Sequence, residues 1–166
     1  MAWERVVVQP SGAIVENANS YISESDFDAY CATIGQSLTS YDDDAQQTAV
    51  IAAGQYINTR RYAEEPDEGK YSVMKFPQGG VVPPVVKQAQ LMLSVKILTT
   101  PDIKLYNDTT GNGKIKQEVT GVISTTYFSP EESGEQSDIR FDFVDDLLGD
   151  LIVDSAGAAI WIGQGI

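Results

Sequence analysis

The chain has 166 residues, 42% of them hydrophobic, with 24 acidic and 11 basic side chains, one cysteine and no histidine. That length fits one domain with its own core, and the apolar content excludes a disordered chain. A net charge of −13 speaks against general nucleic-acid binding, because such a surface repels phosphate.

The missing histidine removes the commonest general base and zinc ligand. A single cysteine, Cys31, excludes an intramolecular disulfide and fits a reducing compartment. The opening "MAWERVVVQPSG" offers only a three-valine apolar run and lacks a signal-peptide pattern.

In chain order, "RVVVQPSGAIVENA" predicts a short strand, a Pro-Ser-Gly turn and a second short strand. "NSYISESDFDAYCATIG" predicts a helix capped by Ser23 or Ser25, with Asp26 and Asp28 in its first turn. Phe27, Tyr30, Cys31 and Ile34 share its apolar face, and Gly35 stops it. Cys31 therefore reads as a core side chain rather than a reactive thiol.

"YDDDAQQTAVIAAGQYINTRRY" predicts a second helix with Asp42, Asp43 and Asp44 at its positive end and Arg60 and Arg61 at its negative end. Ala49, Ala52, Ala53, Tyr56 and Ile57 make its stripe. "AEEPDEGKYSVMKFPQGG" is a long polar loop, of a length that is usually functional or disordered.

The third helix starts at Pro84, whose fixed φ suits a first turn. Val86, Ala89, Leu93 and Ile97 form one face, and Leu91, Met92, Val95 and Leu98 fill others, which predicts a central position in the core. Lys87, Gln88, Gln90, Ser94 and Lys96 interrupt the apolar run, so it is not a membrane span.

"IKLYNDTTGNGKIKQEVTGVISTTYF" predicts a β-hairpin turning at Gly111-Asn112-Gly113. After the polar loop "SPEESGEQSD", "DIRFDFVDDLLGDLIV" predicts a last helix. Phe141, Val144, Leu147, Leu148 and Leu151 lie opposite Asp142, Asp145, Asp146 and Asp150. The tail "DSAGAAIWIGQGI" carries Ile160, Trp161, Ile162 and Ile166 behind a Gly/Ala stretch; it either meets a partner surface or folds back. The expected fold is mainly α: a small bundle of about four helices with a β-hairpin, short N-terminal strands, and extended loop and C-terminal arms. Residues 1–152 form one domain and residues 153–166 a C-terminal arm.

Chemistry is scarce. Phosphate-loop, CxxC, HExxH and GxSxG spacings are all missing. "DTTGNGKIKQEV" partly matches a calcium loop, but Val119 stands where the bidentate glutamate belongs. Asp42 to Asp44 read as helix capping, and the aspartate row of the last helix as a solvated face. Arg60 and Arg61 with Tyr56 and Tyr62 are a basic-aromatic cluster that could stack on a base. Against this net charge, helix-end capping or an inter-subunit ion pair suits them better. No enzymatic activity, metal, cofactor or membrane association is expected.

The order of elements resembles tailed-phage head-to-tail adaptor proteins, also called head completion or connector proteins. "ENANSYISESDFDAYC" resembles their opening, "AVIAAGQYINTRRY" their second helix, and "KFPQGGVVPPVVKQAQLMLSVKIL" their aromatic-Pro segment and Pro-led third helix. "GKIKQEVTGVISTTYF" and "FDFVDDLLGDLI" are similar to the hairpin and final helix, so the resemblance spans residues 13–152. Phe76 stands where tryptophan is common, and the tail beyond residue 152 has no counterpart. Some related sequences carry a label likening them to a primosomal single-stranded-DNA-binding domain.

The resemblance implies a virion protein, assembled in the host cytoplasm. It would form a ring of about twelve copies beneath the portal. Portal protein, a downstream tail protein and other copies would be its partners, with genomic DNA passing through the channel without specific binding. Phe141, Val144, Leu148, Leu151, Ile160, Trp161 and Ile162 are the expected portal-docking residues. Arg60, Arg61, Phe76, Asn112 and Tyr127 are the expected inter-subunit residues. The alternative is a single-stranded-DNA-binding replication accessory.

Overall fold

The computed structural model describes residues 3–69, 72–100, 103, 105, 115–119, 124–127 and 141–153. The chain divides into two compact units, Met1–Ile103 with Phe141–Ile166, and Lys104–Arg140. Among the described residues the first unit carries four helices: α1 (Glu24–Thr33), α2 (Asp43–Asn58), α3 (Pro84–Thr99) and α4 (Asp142–Leu148), the last followed by a 3-10 turn over Gly149–Leu151. The second carries β1 (Ile115–Val119) and β2 (Ser124–Tyr127), paired antiparallel with an irregularity between Ile115 and Gln117. The fold is mainly helical, as the periodicities predict.

Each helix start has a local cause. Ser23 caps α1 in a full capping box: its hydroxyl accepts from Asp26 N at 3.2 Å, and Asp26 returns a carboxylate oxygen to Ser23 N at 2.9 Å. Asp42 caps α2, accepting from Ala45 N at 2.7 Å, with Asp43 and Asp44 in the first turn. Pro84 opens α3 behind Pro83. Helix α4 is shorter than its apolar pattern suggests, because Gly149 takes a positive φ of 36° and the chain tightens into the 3-10 turn.

Helix α3 packs against α1, α2 and α4. One core cluster joins α2, α3 and α4 to the N-terminal segment through Tyr21, Ala53, Tyr56, Val86, Leu93 and Val144. A second joins α1, α2 and α3 through Phe27, Cys31, Val50 and Leu98, with Trp3 against Phe27 at 5.7 Å. Burial and the charge of Asp28 raise the Cys31 thiol above its ordinary value, away from the reactive thiolate. Ile34, expected on the apolar face of α1, is exposed, because the helix ends beneath it.

Two local expectations change. The N-terminal segment forms no pair of strands; a single parallel bridge joins Val8 and Ser20. Its backbone is held by main-chain bonds, Gln9 N donating to Ser20 O at 2.7 Å and Asn19 N to Val7 O at 2.9 Å, and by side chains, Val7 N donating to Asn19 Oδ1 at 2.9 Å and Val15 N to Gln9 Oε1 at 3.1 Å. The β1–β2 connection falls at residues 120–123, downstream of Gly111-Asn112-Gly113, which lie outside the described residues.

Candidate functional site

Three polar constructions hold the helices and loops of the first unit together among the described residues. The first is a clamp between the C-terminal end of α2 and α4. The Arg60 guanidinium lies 4.3 Å over the Tyr56 ring and its Nε sits 3.2 Å from Asp145 Oδ1. The two charged side chains are only 10% and 17% exposed. Tyr56 accepts from Phe141 N through its hydroxyl at 2.9 Å and meets the Phe141 ring edge-on at 5.0 Å. The backbone completes the clamp: Ala63 N donates to Leu151 O and Val153 N to Arg61 O, with a bridge between Tyr62 and Ile152.

The second is the long loop before α3, which is not a free arm. Met74 and Phe76 are buried in the core, Phe76 edge-on to Tyr21 at 5.9 Å and to Tyr62 at 4.8 Å. Asp67 folds the loop on itself. Its two carboxylate oxygens accept from Gly79 N at 2.8 Å and Gly80 N at 2.7 Å, while its own N donates to Pro77 O. Both glycines have positive φ, 58° and 77°, which aims their N–H groups at one carboxylate.

The third is a buried polar node under "NSYI". Gln90 of α3 accepts from Tyr21 N at 2.8 Å and donates to Ser20 Oγ and to Val50 O, each at 2.9 Å. Gly54 makes room for it: a Cβ there would stand 2.7 Å from Asn19 O and 3.0 Å from Gln90 Nε2. The Tyr21 hydroxyl bonds Asn58, and Lys75 N donates to both, at 3.0 Å and 3.1 Å. Burial holds the phenols of Tyr21 and Tyr62 well above the ordinary tyrosine value.

The predicted site residues separate accordingly. Val144 and Leu148 are fully buried, and Phe141 and Leu151 pack half-buried against the same core. These four anchor α4 to its own body, so Val144 and Leu148 have no surface to offer a portal. Phe76 is likewise a core residue rather than a subunit contact, because the loop turns inward at Met74. Arg60 is engaged within the chain, and Arg61 remains exposed. Tyr127 ends β2. Asn112, Ile160, Trp161 and Ile162 lie outside the described residues. Sequence reading missed Gln90, Asp67 and Asp145 as partners. An interrupting glutamine in an otherwise apolar helix was the available signal for the first; the other two pair across the chain without local periodicity.

No group of three or more His, Cys, Asp or Glu side chains able to hold a metal occurs among the described residues. Among them, no helix is long and apolar enough to cross a membrane. Residues 6–165 match the family model described as "Putative DnaT-like ssDNA binding protein". The chain belongs to that family. No curated protein and no solved structure matches it. The family's printed description speaks of single-stranded-DNA binding and not of a head-to-tail adaptor.

Proposed function

We propose that the chain is a structural, non-enzymatic head-to-tail adaptor of a tailed-phage particle. Copies form a ring of about twelve beneath the portal, extend the DNA channel and join the capsid vertex to the tail. The observation that carries this reading is the closed basic-aromatic cluster on a strongly acidic chain. Arg60 spends its charge on Asp145 and Tyr56, and Tyr56 is buried, so neither offers a stacking platform to a base. A net charge of −13 keeps DNA sliding rather than sticking, which a channel requires. With Val144 and Leu148 inside the core, portal docking falls to the tail, through Ile160, Trp161 and Ile162.

The deciding measurement is the mass of the purified protein with and without its cognate portal protein. A monomer alone and a ring-sized complex with portal are expected; a stable dimer indifferent to portal refutes the reading. Deleting residues 154–166 should abolish portal binding while leaving the helical signal intact.

The family's description favours a second reading, a single-stranded-DNA-binding accessory. It predicts salt-sensitive binding to single strands. A gel shift at low salt with no retarded species dismisses it; a retarded species that disappears with salt would replace the adaptor reading.

A further inference from the structure

Copies of a chain with a net charge of −13 repel one another, so a contact between them gains most by reusing contacts the fold already makes. The N-terminal arm, residues 3–9, offers such contacts. Its alternate N–H groups are each received by a different residue of the body. Trp3 N donates to Glu24 Oε2 at 3.0 Å, Arg5 N to Gln47 Oε1 at 2.9 Å, Val7 N to Asn19 Oδ1 at 2.9 Å and Gln9 N to Ser20 O at 2.7 Å. The Arg5 guanidinium reaches Asp44 and Thr48. Trp3 and Val6 pack against the core cluster of α1, and Val7 against the other cluster. Among the described residues no hydrogen bond joins one residue of 3–8 to another, so the arm's hold on its seat does not depend on which copy supplies it.

The connection from arm to body is tight. Val8 and Ser20 bridge in parallel, and a parallel pair cannot be joined by a simple turn; the chain has to return over about a dozen residues or more. Here the return is residues 9–19, eleven in all. It uses two left-handed residues, Gly12 at φ 76° and Asn17 at φ 61°, the second with a side chain that disfavours this conformation. Residues 10–14 are exposed, and buried Gln9 staples them by donating to Pro10 O and Ala13 O.

We infer that the arm is exchanged between copies: residues 3–9 of one chain fill the seat of the next, with residues 10–13 as the hinge. A short, strained hinge favours exchange, because a crossing arm no longer has to return. The occupant of the seat is the segment itself, to which the acceptors and apolar walls are already matched. Opened to full extension, the four hinge residues span about 14 Å, enough to cross a contact between copies. Exchange gives up the hinge's own bonds, Gly12 N to Gly80 O and Val82 N to Ser11 Oγ among them, and keeps those of the arm. The Arg5–Asp44 ion pair then joins two acidic copies. Each chain gives an arm on one side and takes one on the other, so the contact is heterologous and closes by rotation into a ring. The inference rests on the adaptor reading for that ring and supplies the contact between its copies.

Two measurements test it on the full chain. Deleting residues 11–13 leaves a connection too short for the arm to reach its own seat, so the purified variant should shift from monomer to dimer or larger, with the helical circular dichroism unchanged. The second keeps the hinge intact. In a Cys31→Ala background, one set of copies carries Arg5→Cys and another Thr48→Cys, positions that meet between arm and seat. Mixed and assembled on portal, the two sets should be bridged by a short bismaleimide and run as a covalent pair on a denaturing gel. Inserting Gly-Ser-Gly-Ser after Gly12 relaxes the return and should abolish that bridge. Rings on portal with no bridge between the sets overturn the exchange and leave the adaptor reading standing, as does a folded hinge-shortened chain that stays monomeric while wild type forms rings. Exchanged oligomers of the shortened chain, with wild type indifferent to portal, keep the exchange and overturn the adaptor reading. A monomeric shortened chain together with wild type that never docks on portal overturns both.

Discussion

Replacing Gln90 by methionine tests whether the buried node holds the N-terminal segment on the helices. The substitution keeps length and removes all three hydrogen bonds, to Tyr21 N, Ser20 Oγ and Val50 O. The losses are unequal. Ser20 Oγ still donates to Ile22 O at 2.8 Å, and Val50 O lies within α2 and keeps a helical donor. Tyr21 N is left buried without an acceptor, which costs about 1–3 kcal/mol. Two further net bonds add about 0.5–1.5 kcal/mol each, and the better burial of a thioether returns part of this. The expected loss is about 2–4 kcal/mol. In urea, with a slope of about 1–3 kcal/mol per molar, the midpoint should fall by about 1–2 M. Trp3 against Phe27 supplies the fluorescence probe, in a Trp161→Phe background so that it reports alone. Lys96→Met, at an exposed position of the same helix, serves as the surface control, expected within about 0.5 kcal/mol. A loss below about 1 kcal/mol for Gln90→Met, or one matching the control, would refute the claim that this amide fastens Tyr21 to α3.

Asp145→Ala should destabilise by about 1–3 kcal/mol in the same assay, because it strands a largely buried guanidinium; a neutral result would show that the clamp contributes nothing. In an absorbance titration, Tyr21 and Tyr62 should ionise only well above the ordinary tyrosine value of about 10. Since their folded values are raised, the native state holds more protons than the unfolded one above that pH. Stability should therefore be intact below about pH 10 and decline as pH rises beyond it, until the protein unfolds; a flat stability curve to high pH contradicts this. Asp67→Ala should release Gly79 N and Gly80 N, seen as faster amide exchange at those two positions with helical amides unchanged.

The helices were legible because their signals are local. Ser23, Asp42 and Pro84 each mark a start within one turn, and the apolar spacing of Val86, Ala89 and Leu93 gives the buried side of α3. What sequence reading could not supply are partnerships between distant residues. Gln90 looks like an interruption of an apolar run; only the fold brings Tyr21 N and Val50 O to it, and the node fixes Ser20 and Tyr21, just beyond the segment that periodicity assigns to strands. Asp145 sits among aspartates that periodicity places in solvent, yet α4 turns it onto Arg60. Phe76 lies in a polar loop, yet the Asp67 turn carries it inward between Tyr21 and Tyr62. Two of these, Asp145 and Phe76, share a direction: each moves a residue expected in solvent or at an interface into the body. The consequence for function is specific. Once Arg60, Tyr56, Phe76, Val144 and Leu148 are engaged inside the chain, a partner has to be met by other groups. Among the described residues, exposed Arg61 and the exposed apolar side chains of Ile14, Ile34, Val73, Val81, Val85 and Val153 are groups still open to one.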